Sequence, residues 1–312
     1  MAAATPTVGW IGTGRMGYQL VLRLLNAGYD VAAYNRTRAK CEPLAEFGAK
    51  IVDCPADLVD RDIVFIMVSA DNDLEAVISG PGGLLSGAGA PKIIVDSSTV
   101  STEASGRIRE VVEGRGAQFL AAPVSGNPKV IAAGKLTVAA SGPKEAFDAV
   151  APLLGTWGRG VTYVGEGEVA RLVKIAHNVF LGVVIQSLAE ITVLAERGGV
   201  SREAFLSFLN ESVLGSAFTR YKSPALVNLD FHPTFTTVLL RKDLQLGLSA
   251  GKDLGVPMPL AAATDMLIAQ AIGAGYTSED FATLVLEQAR RSGYAIEPED
   301  VPVDDGLAPE EE

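Results

Sequence analysis

The stretch VGWIGTGRMG, residues 8–17, carries glycines at positions 12, 14 and 17 directly behind a short apolar run. An apolar run that ends in this spacing and opens into a helical pattern reads as a strand, a tight turn and a helix N-terminus. Each glycine has a physical reason. Gly12 lets the chain turn sharply, Gly14 lets the backbone approach a bound group, and Gly17 lets the helix pack closely on the strand. Unpaired amides at the helix N-terminus then face an anion, so the predicted ligand is the pyrophosphate of a dinucleotide.

Working outward, residues 7 to about 165 alternate apolar runs with helical patterns. Candidate strands are Val8–Ile11, Val31–Tyr34, Ile63–Val68, Ile93–Asp96, Gln118–Ala122 and Leu136–Ser141, with helices near 16–28, 37–47, 71–79, 101–116 and 143–155. That alternation predicts βαβ units in a parallel sheet. After about residue 165 the strand signals stop, and helices are expected near 167–197, 201–211, 216–228, 237–254, 258–273 and 278–292, with Ser201 and Ser278 as N-caps. The expected fold is therefore α/β: an N-terminal doubly wound Rossmann-type sheet over 1–165, followed by an all-α substrate and oligomerisation domain over 166–295. A helix over 167–197, roughly 45 Å long at 1.5 Å per residue, is expected to join them. Residues 296–312, IEPEDVPVDDGLAPEEE, are acidic and proline-rich and read as a disordered tail.

Composition narrows the function classes. The chain has 312 residues, enough for two domains, with 48% apolar and 20% charged residues, which excludes disorder for the body. Of a net charge of −11, residues 297–312 alone contribute eight acids and no base, so the body is nearly neutral. With no basic run, neither a nucleic-acid partner nor an anionic membrane surface is expected. The longest stretch free of Asp, Glu, Lys and Arg is Ala76–Pro91, 16 residues with five glycines, so no membrane span is expected. The N-terminal MAAATPT lacks a basic leader, and a cytoplasmic location is the expectation. Two cysteines, Cys41 and Cys54, and two histidines, His177 and His232, give no metal-ligand spacing, so no metal is expected.

The end of the second strand chooses the dinucleotide. Sites of this type normally place an acid there to accept hydrogen bonds from ribose hydroxyls. This chain reads VAAYNRT, with Asn35 in the acid's place and Arg36 and Thr37 beside it. A neutral amide removes repulsion, and a guanidinium with a hydroxyl can hold a 2′-phosphate, so NADP(H) is expected over NAD(H). Thr13, Arg15 and Met16 between the glycines, with Val68 and Ser69 after the third strand, complete the expected cradle. Farther on, Lys174 and Asn178 lie four residues apart on one helix face, with Gly182 continuing the stripe and expected to leave room for a ligand.

These motifs together resemble the β-hydroxyacid dehydrogenase family, which includes 3-hydroxyisobutyrate dehydrogenase and semialdehyde reductases. The resemblance rests on IGTGRMG (11–17), DSSTVS (96–101), APVSGN (122–127), KIAHN (174–178) and RKDLQLGL (241–248), in the family's order over nearly the whole chain. It implies a hydride transfer between the nicotinamide and a small β-hydroxy acid or semialdehyde. Lys174 would be the general acid/base and Asn178 would orient the substrate. Ser125, Gly126 and Asn127 would hold its carboxylate. Thr99 would contact the cofactor, Lys242 would close over it, and Asp243 would support that lysine. The resemblance also implies a homodimer or homotetramer, in keeping with the apolar helices of the second half.

Three departures stand out. Ala121 replaces a family acid, Asn127 replaces a second glycine, and the family's Gly-x-Gly before the lysine falls on Glu168 and Ala170, where Gly165 and Gly167 are expected to substitute. Leu181 stands where 6-phosphogluconate dehydrogenases carry a glutamate, which disfavours that decarboxylation. Imine reductases share the fold and the NRT-like loop but generally lack a lysine at this place. A binding or scaffold protein on the same fold would need a damaged site, and no expected residue is missing.

Overall fold

A computed structural model describes residues 5–308 of the chain. Residues 309–312, the last part of the expected tail, lie outside the described residues. The chain divides into two compact units, and the division falls between Lys174 and Ile175.

In the first unit, strands β1 (Val8–Ile11), β2 (Val31–Tyr34), β3 (Lys50–Ile51), β4 (Ile63–Ile66), β5 (Ile93–Asp96) and β6 (Gln118–Ala121) run parallel. Helices α1 (Arg15–Asn26), α2 (Asp71–Ser79) and α3 (Thr102–Glu113) lie between them in the sequence. The sheet continues through β7 (Val124–Ser125), β8 (Leu136–Ser141) and β9 (Gly158–Gly165), with α4 (Pro128–Ala132) and α5 (Lys144–Gly155) between them in the sequence. The strand order is β3-β2-β1-β4-β5-β6-β8-β7, with β9 on the free side of β8. Strands β1, β4 and β5 are wholly buried, as strands covered on both faces must be. Val8 pairs with Val31 on one side and Ile63 on the other. The chain thus leaves β1 for β2 and then crosses back to β4, so the C-terminal end of β1 is the point where the winding reverses. That is where α/β sheets open a crevice for ligands. Trp10 of β1 stacks on Phe65 at 5.5 Å and meets Trp157 edge-on at 5.8 Å, which anchors the sheet beneath the crevice.

Two features differ from expectation. Residues 37–47 form two 3₁₀ turns, Arg38–Lys40 and Glu42–Phe47, instead of one α-helix. Pro43 lacks the amide an α-helix would need there and instead sits in the first turn of the second segment. Strand β9 was not expected, because GRGVTYVG has three glycines and no fully buried residue.

The second unit is helical. Helix α6 (Val169–Arg197) enters it, followed by α7 (Arg202–Glu211), α8 (Ala217–Asn228), α9 (Thr237–Asp253), α10 (Pro259–Gly273) and α11 (Leu284–Arg291). Ile185, Leu188, Leu206, Leu226, Leu240, Leu244, Ile268 and Phe281 form its core. Ser201 caps α7 as expected, accepting from the Ala204 amide, whereas Asp280 rather than Ser278 starts the last helical segment. Helix α6 is long and apolar enough to cross a membrane by length and composition, contrary to the expectation of no such segment. Half of its most apolar window is buried in the protein.

Within this unit Lys222 and Asp280 form a buried ion pair at 2.6 Å. Burial pushes the Asp280 carboxyl up, but the Lys222 ammonium and donors from Thr234 and the Ala282 amide outweigh it and hold the group below its ordinary value. The described part of the expected disordered tail is fastened at several points. Ile296, Val301 and Val303 pack on the helical core, and Asn228 exchanges two hydrogen bonds with the Val301 backbone. The Glu299 carboxylate accepts from the amides of Arg202 and Glu203 at the start of α7. The acidity that suggested disorder here satisfies orphan amides at a helix N-terminus.

Candidate active site

The glycine loop behaves as its spacing predicts. Gly12 has φ +99°, and a Cβ there would sit 2.1 Å from the Met67 carbonyl oxygen. A Cβ on Gly17 would meet the Gly12 carbonyl oxygen at 2.0 Å, whereas one on Gly14 would meet nothing within 4 Å. The open side of Gly14 is therefore the approach for a ligand, and the other two glycines are demanded by the protein itself. Trp10 Nε1 donates to the Gly12 carbonyl at 2.9 Å, which holds the turn from below. We expect Gly17→Ala to cost about 1–3 kcal/mol of stability, because backbone must move to admit the methyl. Gly14→Ala should leave the melting temperature unchanged and weaken dinucleotide binding roughly tenfold or more; thermal melts and titration calorimetry of the two variants check the contrast.

A cleft of about 320 Å³ opens beside this loop, lined by Gly12, Gly14, Asn35, Arg36, Thr37, Val68 and Ser69 among others. Seven residues expected from sequence thus line one cavity. Asn35 is locked: its Oδ1 accepts from the Thr13 amide and its Nδ2 donates to the Thr37 carbonyl, both at 2.9 Å. Thr13 is buried, with a hydroxyl that has no hydrogen-bond partner among the described residues, a group suited to a bound ligand. Met16 packs against the core instead of lining the cleft, and Arg15 is exposed on the first turn of α1. Two charged lining residues were missed in the sequence: Lys40, on the 3₁₀ turn after Thr37, and Asp73, on α2. The spaced bases of RTRAK could have signalled the first, while the second lies 38 positions beyond Asn35 and had no local signal. The open Gly14, the lone Thr13 hydroxyl and the Arg36 and Lys40 cations fit a dinucleotide with its adenosine end at Arg36.

The motif DSSTVS is a scaffold around Thr99. Ser98 accepts from the Val68 amide at 2.9 Å, and Ser101 caps α3 while donating to Asp71 at 2.6 Å. Asp96 is wholly buried and pairs with Arg171, 1% exposed, at 2.5 Å. Arg171 also donates to the Ser98 carbonyl at 2.5 Å and to Ser105 Oγ at 3.0 Å. The first turn of α6 is therefore tied to the loop that carries Thr99, and Lys174 follows Arg171 by one turn, half-buried.

Gly165 (φ +130°) and Gly167 (φ +64°) supply the left-handed turns before this helix. Glu168, in the place of a family glycine, accepts from Arg109 Nε at 2.6 Å and from the Ser105 hydroxyl. Arg109 also donates to the Gly167 carbonyl at 2.8 Å. The departure noted in sequence is thus offset by a charged network, of which Arg109, Asp96 and Arg171 had not been singled out.

In the expected substrate loop, Ser125 pairs with Thr137 in the β7–β8 ladder, and Gly126 at φ +144° has no room for a Cβ, which would lie 2.7 Å from Leu136 Cδ1. Asn127 caps α4 through Oδ1, accepting from the Val130 amide at 3.1 Å. Its Nδ2 is buried with no hydrogen-bond partner among the described residues, which costs free energy unless a ligand accepts from it. The Asn127 backbone is extended, so asparagine replaces the family glycine without strain.

In the second unit Asn178 is clamped. Its Nδ2 donates to Asp243 Oδ2 at 2.6 Å and its Oδ1 lies 2.9 Å from His177 Nδ1. Asp243, expected to support Lys242, holds this amide. Lys242 itself is half-buried on α9. Gly182 does not leave room for a ligand: a Cβ there would sit 2.3 Å from Leu244 Cδ1, so it is a close-packing position between α6 and α9. Gly247 repeats that contact against Val179.

Residues 7–165 match the family model described as the NAD binding domain of 6-phosphogluconate dehydrogenase. Residues 165–287 match the one described as NAD-binding of NADP-dependent 3-hydroxyisobutyrate dehydrogenase. The chain belongs to the β-hydroxyacid dehydrogenase family. Within this family, glyoxylate/succinic semialdehyde reductase 1 of Arabidopsis thaliana is 30% identical over 89% of this chain and 96% of its own length. Cytokine-like nuclear factor N-PAC of Gallus gallus is 32% identical over 90% of this chain, which spans 51% of that protein. The crystal structure of 3-hydroxyisobutyrate dehydrogenase from Salmonella typhimurium superposes with a TM-score of 0.79 at 26% identity, covering 89% of this chain and 98% of that one. An imine reductase from Pseudomonas sp. has a TM-score of 0.59 at 22% identity over 90% of this chain and 98% of its own, a likeness of fold alone. The β-hydroxyacid dehydrogenase fold thus comprises the doubly wound sheet and the helical region described above, and the chain is an oxidoreductase of that family with a pyridine-nucleotide cleft.

Proposed function

We propose that the chain is an NADP(H)-dependent oxidoreductase of small β-hydroxy acids or semialdehydes, with Lys174 as general acid/base. The observation that carries this reading is the anchoring of the lysine's own helix turn, through buried Arg171, to the Asp96–Thr99 loop of the nucleotide-binding unit. Arg36, Thr37 and Lys40 would hold the 2′-phosphate, and the backbone around Gly14 the pyrophosphate. A bound nicotinamide supplies the hydride acceptor or donor.

The protein's own groups do the rest. In reduction, the Lys174 ammonium faces the carbonyl oxygen, stabilises the negative charge that grows there and gives up its proton. In oxidation, the neutral amine takes the hydroxyl proton. Ser125 Oγ, the Gly126 backbone and the partnerless Asn127 Nδ2 are donors for the substrate carboxylate. Asn178, with one N–H spent on Asp243, keeps a second for orienting the substrate. A general base of this kind is what separates the reading from an imine reductase, and an intact lysine separates it from a scaffold.

A second copy of the chain is expected to cover the exposed apolar residues of α6, among them Val173, Phe180 and Leu194, giving a homodimer or homotetramer. The direct test of function is an initial-rate survey of C2 to C5 semialdehydes, β-hydroxy acids and cyclic imines with both nicotinamide cofactors. Turnover of aldehydes or hydroxy acids with NADP(H) is expected; turnover confined to imines, or none at all, would contradict it.

A further inference from the structure

The nucleotide cleft contains an acid in an unexpected place. Sites selective for the unphosphorylated dinucleotide put a carboxylate at the end of the second strand, and this chain has Asn35 there, both ends of its amide spent on the loop. Yet one acid lines the cleft: Asp73, from the first turn of α2 after β4. A carboxylate in that turn is favoured by the helix dipole, so its position is set by α2. Its Oδ1 lies 2.9 Å from Arg36 Nη1, with the Arg36 side chain 84% exposed and that of Asp73 29%. Arg38, the next base along, is engaged with Glu42 and Asp53, which leaves Arg36 and Lys40 as the cations that line the cleft.

We propose that Asp73 is a specificity-determining residue, holding Arg36 when no 2′-phosphate is present and competing with that phosphate for the same guanidinium. The proposal rests on the 2′-phosphate reading above and deepens it. Arg36 can turn its planar fork to only one anion at full strength. To meet a 2′-phosphate it must leave Asp73, and the abandoned carboxylate then faces a second negative group across the same cleft. An unphosphorylated ribose asks nothing of Arg36, so the pair stays closed. Asp73 therefore weakens NADP(H) binding and leaves NAD(H) binding alone, which narrows the discrimination that Arg36, Thr37 and Lys40 would otherwise provide.

The test is calorimetric titration of the full chain and its Asp73→Asn variant with NADPH and, separately, NADH. An exposed pair is weak, so the expected gain is modest: NADPH binds about three- to fivefold more tightly to the variant, while the Kd for NADH changes by less than about twofold. The gain should shrink as salt is raised from low ionic strength, because both partners are screened. Unchanged or weaker NADPH binding in Asp73→Asn overturns the proposal. So does a loss of NADH affinity, which would mean that the carboxylate grips ribose hydroxyls itself. The cofactor preference is read separately in the wild-type chain. A wild type that prefers NADH contradicts the 2′-phosphate reading, while the variant-to-wild-type ratio for NADPH still decides the role of Asp73.

Discussion

Lys174→Met is expected to lower kcat by about 10³-fold, within the 10²–10⁴ range that a positioned general acid contributes, while the Kd for NADPH stays within about twofold. The split follows from geometry: Lys174 is not among the residues lining the nucleotide cleft, so cofactor binding has no reason to change. Methionine keeps the length and apolar stem of lysine and removes only the charge and the proton. Lys174→Arg gives the companion result. Arginine keeps the positive charge but does not deprotonate, so any activity it retains reports electrostatic stabilisation of the oxygen, and the difference from wild type reports proton transfer. If both variants turn over as the wild type does, the lysine has no chemical role, and the imine-reductase reading gains.

Arg171→Met is expected to destabilise the first unit by about 3–5 kcal/mol, the cost of leaving one member of a buried ion pair alone. Asp96 is wholly buried, and the arginine also serves the Ser98 carbonyl and the Ser105 hydroxyl, so its loss removes a hydrogen bond from three groups at once. Asp96→Asn should cost less, because the amide still accepts from Arg171. The double variant Arg171→Met/Asp96→Leu should recover part of the loss, since no charge is then left unpaired. Denaturant melts of the three proteins check the order. If Arg171→Met alone melts like wild type, the pair is not what ties the lysine helix to the 96–99 loop.

What the sequence revealed and what it hid follow one division. Strands β1, β4 and β5 were legible because strands buried on both faces of a parallel sheet read as continuous apolar runs, and their observed bounds differ from those expected by at most two residues. The glycine loop was legible because its physics is local: Gly12 and Gly17 are required by atoms a few positions away or on the adjoining strand. Strand β9 was hidden because it lies at the margin of the sheet, where glycine and half-exposed residues blur the pattern. The 3₁₀ turns at 37–47 were hidden by a helical spacing that Pro43 interrupts.

Most of the remaining misses are long-range partnerships. Asp73 meets Arg36 across 37 positions, Asp96 meets Arg171 across 75, and Glu299 meets the Arg202 amide across 97. Composition described residues 296–312 as a solvated acidic segment, and nothing local says that one of its carboxylates serves the first turn of α7. Gly182 shows the same limit. Its spacing from Lys174 was read as ligand space, and only the partner helix reveals that Leu244 occupies it. Asn127 is the converse case, a residue that departs from the family pattern yet leaves a buried donor suited to the carboxylate that the resemblance implies.

The most direct measurement is a crystal structure of the chain with NADP⁺ and a non-reacting β-hydroxy acid analogue. Lys174 Nζ is expected about 2.6–3.2 Å from the oxygen that replaces the reacting hydroxyl, on the same side as the nicotinamide C4. A Lys174 side chain directed into solvent, or separated from C4 by protein while the dinucleotide sits in its cleft, would contradict it.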